Sequence, residues 1–409
     1  MNKKYDVVVS GASAAGLSFV LALAEATEGS LRIALIEKGS ETNILQGDFP
    51  AFALSAGSRH MIQTLGFWDD ISSKAQEVSR IEITDSSLED FFRPVLLSYN
   101  NKTFNSEPAT HIVEGETIIA SLFKRVRNHR SIDVFFEREV IRYEVKDFYS
   151  RVLLIGGDDL YAKLVVSAEG RQSKLREVSG IKTIGWSYNQ TGIVVHVSHE
   201  LPHNGVAIQH FLPSGPFAIL PLLGNRSCVT WSENAISAKQ ILALGDEEFL
   251  FELEKRFGSR LGNLKLENKR KSWPLSLQLA RSFVANRFAL IGDSAHAVHP
   301  IAGQGLNLAF KDSATLAEVL VEALRLGIDL GDGETLSRYE RWRRFDSTTS
   351  TLFYDALNRL FSSDNQFDRM VRDLGLGVVD RLPAIKQFFV EEAAGLTGKV
   401  PRLLQGSPL

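Results

Sequence analysis

Hydrophobic and polar positions fall into two textures along the chain. From Tyr5 to Ser10 and from Leu31 to Ile36 the apolar residues run almost without interruption, as they do in strands covered on both faces. Between them, Gly11-Ala12-Ser13-Ala14-Ala15-Gly16 opens a helical pattern that continues to about Ala26. The N-terminus therefore predicts a βαβ unit. Further helices are expected over Ser55 to Leu65, closed by Gly66, and near Glu116 to Asn128. Strands through Val134 to Ile155 lead to an apolar run at Lys163 to Ser167, while residues 71 to 110 are weakly patterned.

The second texture extends from about Tyr188 to Trp273. Gly192 to Val197, Val206 to Phe211, Phe217 to Leu222 and Cys228 to Trp231 are short runs separated by Gly, Pro and Ser turns, with one helix near Asp246 to Phe257. This is the pattern of a sheet-rich insert. Phe288 to Ile291 returns to the buried-strand pattern, a long helix follows from Gly305 to about Leu326, and Gly331 to Leu409 reads as mostly helical. The expected fold is α/β, a Rossmann-like nucleotide-binding domain interleaved with a β-sheet domain and followed by a helical C-terminal tail. Residues 1–70, 101–185 and 275–330 are assigned to the first domain, 71–100 and 186–274 to the second, and 331–409 to the tail.

Composition narrows the function classes. The chain has 409 residues, of which 44 % are apolar and 23 % charged, as in an ordinary globular enzyme. A net charge of -3 leaves no basic footprint for nucleic acid. The single cysteine, Cys228, cannot form an internal disulfide; its apolar surroundings predict a buried thiol rather than a nucleophile. Met1 to Asp6 passes into the first strand without a charged-then-apolar leader, and no apolar stretch reaches a membrane-spanning length of about eighteen residues. A cytoplasmic protein is expected.

The turn at Gly11 to Gly16 follows the dinucleotide-binding spacing with Ser13 at the second glycine. There the first glycine makes the tight turn, the middle position lets backbone amides approach a pyrophosphate, and the last allows close helix packing. The helix N-terminus supplies free N–H groups and the positive end of its dipole. Glu37, at the end of the second strand, stands where the fingerprint expects an acid for ribose hydroxyls. This much points to a nucleotide without saying which.

A second segment is more specific. Arg287 to Ile291 is a strand that runs into Gly292-Asp293-Ser294-Ala295-His296, then through His299-Pro300-Ile301-Ala302-Gly303-Gln304-Gly305 to Leu306-Asn307. An Asp at a strand end can hold a ribitol hydroxyl of a flavin. The glycines let backbone lie against a flat ring, and the following helix points its N-terminus at charge on the reduced ring. His296 and His299 lack a third metal ligand and are expected to order the loop by hydrogen bonding; no metal site is expected.

These residues resemble the group A flavoprotein monooxygenases of the para-hydroxybenzoate hydroxylase fold. The stretch from Gly292 to Asp312 is similar in particular to the ubiquinone-biosynthesis hydroxylase branch. So are Ala53 to Trp68, Phe211 to Pro221, Leu357 to Phe361 and Gly395 to Pro401, and the resemblance covers nearly the whole chain. It implies FAD as cofactor, NADPH or NADH as reductant, and transfer of one oxygen atom of O2 to an electron-rich ring. Chemistry is then carried at flavin C4a, and no catalytic side chain is expected. The expected cofactor contacts are Gly11, Ser13, Ala14, Ala15, Gly16, Glu37, Lys38, Arg125, Val140, Gly170, Gly292, Asp293, Pro300, Gly303, Gln304, Gly305, Leu306 and Asn307. Phe211, Phe217, Leu220, Pro221 and Pro300 are expected to line the substrate pocket, and a prenylated phenol would suit it.

Two positions depart from the family pattern. Glu169 stands for the Asp of an Asp-Gly pair that serves FAD and NAD(P)H, and is expected to carry its charge outward by a methylene. Pro50 stands where the family has an arginine near the flavin, so a cation is lost. Two further readings follow: a hydroxylase of a soluble aromatic or polyketide, and a non-catalytic flavin-bound assembly component. Leu352-Phe353, Ala356-Leu357, Leu360-Phe361, Val378-Val379, Ile385 and Phe388-Phe389 recur at helical spacing. They read as core-facing. The alternative is docking on a partner of the biosynthetic complex or peripherally on the inner face of a membrane, since a quinone precursor is lipid-soluble.

Overall fold

A computed structural model describes residues 3–47, 49–85, 88, 93–157, 159–299, 303–361 and 382–409. In chain order the first elements are β1 (Lys3–Ser10), α1 (Ala14–Ala26), β2 (Ile33–Ile36), α2 (Glu41–Leu45), β3 (Ala51–Ser55), α3 (Ala56–Thr64) and α4 (Asp69–Ser72). Then come β4 (Gln76–Glu77), β5 (Arg80–Asp85), β6 (Val95–Asn100), β7 (Thr110–Glu114), α5 (Gly115–Asn128), β8 (Ile132–Phe135), β9 (Val140–Val145), β10 (Ser150–Leu154), β11 (Asp159–Ser167) and α6 (Lys174–Val178). The middle of the chain holds β12 (Thr183–His199), β13 (Val206–Leu212), β14 (Gly215–Leu222), β15 (Arg226–Asn234), α7 (Ala235–Leu242), α8 (Asp246–Phe257), β16 (Leu264–Leu266) and β17 (Lys271–Ala280). Last are β18 (Val284–Ala285), β19 (Phe288–Leu290), β20 (His296–Ala297), α9 (Gly305–Arg325), α10 (Gly333–Phe361) and α11 (Pro383–Ala393).

The continuous apolar runs form a parallel sheet in the order β19-β11-β1-β2-β8, with β9, β10 and β18 added at antiparallel edges. All four residues of β2 are buried, because helices cover the sheet as the run predicted. On that sheet α1 packs against both α5 and α9. Ser55 caps α3 by accepting a hydrogen bond from the Ser58 N–H at 3.2 Å.

The insert forms a second sheet, β20-β17-β12-β15-β14-β13-β5-β6, with β16 beside β12. Alternation divides its faces. Ile193, Val195, Ile208, Phe217, Ile219, Val229 and Trp231 meet Ile241 of α7 and Phe249, Leu253 and Phe257 of α8. Val194, Ala207, Leu220, Leu222 and Cys228 lie on the other face with Ala51 of β3 and Ile112 of β7. Those two strands belong to a small antiparallel sheet, β3-β7-β4. Burial pushes the Cys228 thiol up to about 12, in keeping with an inert structural cysteine.

The weakly patterned segment 71–110 contains strands after all. β5 lies parallel to β13, with Val206 opposite Arg80 and Phe211 opposite Asp85. Such pairing across more than a hundred residues leaves little local signal, since Arg80-Ile81-Glu82-Ile83-Thr84-Asp85 alternates over only six positions.

The described residues of the tail are mostly helical and partly built into the core. Tyr339 and Arg343 of α10 are fully buried, and the Tyr339 hydroxyl donates to the Leu290 carbonyl at 2.7 Å. Leu403 and Leu404, in a short 3-10 turn at Arg402–Gln405, are buried beside α3 and α9. Phe388 and Phe389 face solvent in part; the side chains of Leu352, Phe353, Leu357, Leu360, Phe361 and Ile385, and all of Val378 and Val379, lie outside the described residues. Among the described residues no helix is long and apolar enough to cross a membrane.

Candidate functional site

The Gly11–Gly16 turn joins the end of β1 to α1 against the end of β11. Gly11 has φ +106°, and a Cβ there would lie 2.5 Å from the Ala168 carbonyl oxygen. A Cβ on Gly16 would lie 2.0 Å from the Gly11 carbonyl oxygen. Both positions require glycine because protein backbone approaches them. Ser13 caps α1; its hydroxyl donates to the Ala168 carbonyl at 3.1 Å and accepts from the Gly16 N–H at 3.4 Å. The amides of Ala14 and Ala15 belong to the first turn, which a helix leaves without intrahelical partners, and no acidic side chain occupies that turn.

Glu37 is fixed through both oxygens. One accepts from the Ala12 N–H and the other from the Gly39 N–H, each at 2.8 Å. Carboxylate oxygens retain further acceptor capacity, so the group is oriented while still able to receive ribose hydroxyls. Lys38 beside it is exposed.

The Gly-Asp segment bridges the two large sheets. It leaves β19 of the parallel sheet and, after five intervening residues, enters β20, where His296 pairs with Leu279 and Ala297 with Gln278 of β17. Gly292, at φ +61°, packs on α1: a Cβ would stand 3.0 Å from that of Ala15. Its N–H donates to Asp312 Oδ2 at 2.8 Å, and His296 Nε2 meets the same oxygen at 2.7 Å. Arg343 Nε donates to Asp312 Oδ1 at 2.7 Å, and its other nitrogens reach Asp346 and Ser347. Burial alone would raise the Asp312 carboxyl, but His296 and the Arg343 guanidinium hold it below its ordinary value. Asp293 is exposed, with the surrounding protein partly desolvating its carboxyl. Those surroundings push its pKa up, against the pull of His296 and Arg171.

Asn307 clamps α9 to β3 and α3. Its Oδ1 accepts from the Ser55 N–H at 3.0 Å and the Ser58 hydroxyl at 2.8 Å, and Nδ2 donates to the Ala53 carbonyl at 2.9 Å and to Gln304 Oε1 at 3.1 Å. Gly303 has φ +62° and lies against Ala53, whereas a Cβ on Gly305 or Gly170 would meet nothing within 4 Å. Leu306 is buried. Gln304, which precedes α9, makes no side-chain cap to it, and no acid lies in its first turn. Pro300, Ile301 and Ala302 lie outside the described residues.

Glu169 does not carry its charge outward. It turns back, accepting from the Ser10 hydroxyl at 2.6 Å, the Ser173 hydroxyl at 2.8 Å and the Leu175 N–H at 3.0 Å. The extra methylene lets it cap the start of α6 while tying down β1. Gly170, at φ +80°, donates its N–H to the Ser294 hydroxyl at 3.0 Å. Pro50 offers its carbonyl to the Gly115 N–H at 3.0 Å.

The remaining expected contacts have these surroundings. Arg125 donates to the Gly66 carbonyl and pairs with Asp70 at 3.7 Å. The Val140 side chain is in the core, at the start of β9 opposite Leu154. Phe217 is fully buried on the helix-covered face of the second sheet, edge-on to Trp231 at 5.9 Å, and alternation puts Pro221 on that face too. Leu220 and Phe211 belong to the opposite face, toward β3 and β7. Gln209, missed in the sequence, shares that face, and its Nε2 is buried without a hydrogen-bond partner. His296 orders the loop through Asp312 as expected, whereas neither ring nitrogen of His299 has a hydrogen-bond partner. Among the described residues no cluster of three or more His, Cys, Asp or Glu side chains could hold a metal ion.

The residues present fit FAD. Open space lies beside Gly170 and Gly305, two helix N-termini are free of acidic side chains, and Glu37 and Asp293 are set at the ends of parallel strands. That is where ligands bind in open α/β sheets. Residues 4–348 match the FAD binding domain family. The ubiquinone hydroxylase UbiL of Rhodospirillum rubrum is 37 % identical over 93 % of the chain and 91 % of that protein. Human mitochondrial ubiquinone biosynthesis monooxygenase COQ6 is 28 % identical over 94 % of the chain and 91 % of its own length. Among solved structures, p-nitrophenol 4-monooxygenase PnpA of Pseudomonas putida superimposes with a TM-score of 0.80 at 18 % identity, covering 98 % of the chain and all of that protein; the likeness is one of fold.

Proposed function

The chain belongs to the FAD binding domain family, and from that premise we propose that it is an FAD-dependent monooxygenase that hydroxylates the ring of a polyprenyl phenol in ubiquinone biosynthesis, with NADPH or NADH as reductant. The observation that carries this reading is the Gly-Asp segment. By passing from β19 to β20 it joins the parallel sheet, where the cofactor contacts would lie, to the second sheet, whose Leu220, Phe211 and Gln209 would offer a mostly apolar wall. Similarity to proteins named as ubiquinone hydroxylases supports the substrate class.

Bound FAD would supply the redox chemistry, accepting a hydride from the nicotinamide and passing one atom of O2 to the ring. The chain's own work is binding and orientation. The α1 amides of Ala14 and Ala15 would receive the pyrophosphate, and Glu37 the ribose hydroxyls. Asp293 would hold a ribitol hydroxyl, and the amides that open α9 would face the pyrimidine end of the flavin. Residues 1–70, 101–185 and 275–330 would form the FAD domain, and 71–100 and 186–274 the substrate domain. The substrate reading is tested by NAD(P)H oxidation. Stimulation by prenylated phenols and not by small soluble phenols is expected, and the reverse preference would point to a soluble aromatic.

A further inference from the structure

His296 and His299 lie three residues apart on one segment and differ in every partner. His296 is bonded to Asp312. His299 is 2 % exposed, and neither ring nitrogen has a hydrogen-bond partner. Among the described residues it is the only side chain with two buried, unpartnered polar atoms. Burying both nitrogens of an imidazole unpaired is unfavourable, so the arrangement makes sense where a ligand completes it.

Its surroundings hold the ring in place. His299 meets Tyr188 of β12 edge-on, with centroids 5.1 Å apart and planes at 84°. The Tyr188 hydroxyl donates to Asp355 Oδ1 at 2.8 Å, and Trp186 Nε1 donates to the same oxygen at 3.2 Å. Asp355 comes from α10, so a helix of the tail braces the strand residue that packs on the imidazole. The position itself is informative. His299 follows β20, a strand of the second sheet, and precedes α9, whose N-terminus belongs to the proposed flavin site. In the chain it stands between the two.

Building on the hydroxylase reading, we propose that His299 receives the hydroxyl hydrogen of the phenolic substrate and so determines which ring carbon faces the flavin. A neutral imidazole has one acceptor nitrogen and one N–H. Burial favours the neutral ring and pushes its pKa down to about 4; Asp355 acts the other way, more weakly. A phenol, with an ordinary pKa near 10, keeps its proton and donates it. That hydrogen bond raises electron density on the ring carbons ortho and para to the oxygen, which are the carbons an electrophilic oxygen attacks. His299 is on this account a residue that touches substrate and sets regiochemistry.

The test uses FAD-loaded full-length protein and two probes, 2-geranylphenol and its methyl ether, titrated by the change in flavin absorbance. Wild type is expected to bind the phenol about tenfold more tightly than the ether, a difference of one good hydrogen bond. His299→Leu is expected to bind both equally, with unchanged FAD content and an equal or higher melting temperature, because an unpaired buried imidazole has been replaced by an apolar group. His299→Asn, which keeps an acceptor, is expected to recover part of the discrimination. Full discrimination in the Leu variant would overturn the role of His299 and leave the hydroxylase reading intact, since phenol-stimulated NAD(P)H oxidation reports on that separately. If the Leu variant fails to load FAD, the Asn variant decides: retained preference for the phenol supports the role and a lost preference overturns it. A wild type that binds neither probe overturns both.

Discussion

Gly16 shows how little freedom the nucleotide turn has. A single methyl added there would stand 2.0 Å from the Gly11 carbonyl oxygen, a contact only backbone movement can relieve. Gly16→Ala is expected to lose bound flavin and about 1–3 kcal/mol of stability through overpacking. The flavin-to-protein absorbance ratio and a denaturant titration would show it, and wild-type flavin content would contradict it. Histidine burial predicts a pH dependence. His111, His210 and His299 are each pushed down to about 4, chiefly by burial. With an unfolded pKa near 6.5, the unfolded chain takes up protons that the folded chain refuses. Stability should therefore fall as pH drops from about 6.5 to 4, by up to about 1.4 kcal/mol per pH unit for each such histidine. Thermal unfolding across that window checks the sign, and His299→Leu should flatten the slope. At this scale the sequence was partly legible. Gly11, Gly16 and Glu37 could be read because their roles follow from backbone geometry and strand position. Glu169 could not be read, since whether a carboxylate points out or caps α6 depends on Ser10 and Ser173.

The decisive element is α9 together with the strand end it supports. Asp312 sits in the middle of the helix, fully buried, and joins Gly292, His296 and Arg343. Asp312→Asn removes the carboxylate that receives Arg343 Nε and leaves the buried guanidinium with the Asp346 carboxylate alone, and loss of one partner of a buried pair costs up to about 3–5 kcal/mol. A drop of that size in unfolding free energy from a denaturant titration, with loss of flavin, is expected; a change under about 1 kcal/mol would show the network to be unimportant. The βαβ unit, α5 and α9 were legible because buried strands and amphipathic helices leave strong periodic signals. β20 is only two residues long, and β5 finds its partner β13 far along the chain. Neither leaves a local pattern to read. The same limit explains Phe217: its place in a strand was foreseen, but which face it takes depends on α7 and α8 lying on that side.

The molecule as a whole joins a parallel sheet to a second sheet through a short crossing at Gly292 to Ala297, and the tail closes over it. Leu403 and Leu404 fill space beside α3 and α9, and the Arg402 N–H donates to Glu318 at 2.8 Å. Removing residues 399–409 should therefore lower the melting temperature and flavin content. A truncated protein with unchanged melting temperature that is lost from membrane fractions would instead assign the tail to docking. The central claim, that this architecture hydroxylates a prenylated phenol, is tested most directly by product analysis. FAD-loaded protein is incubated with NADPH or NADH, 2-geranylphenol and oxygen-18 gas, and the products are read by mass spectrometry. A ring-hydroxylated product bearing a single labelled oxygen atom is expected. Consumption of the nicotinamide with no labelled product would contradict it.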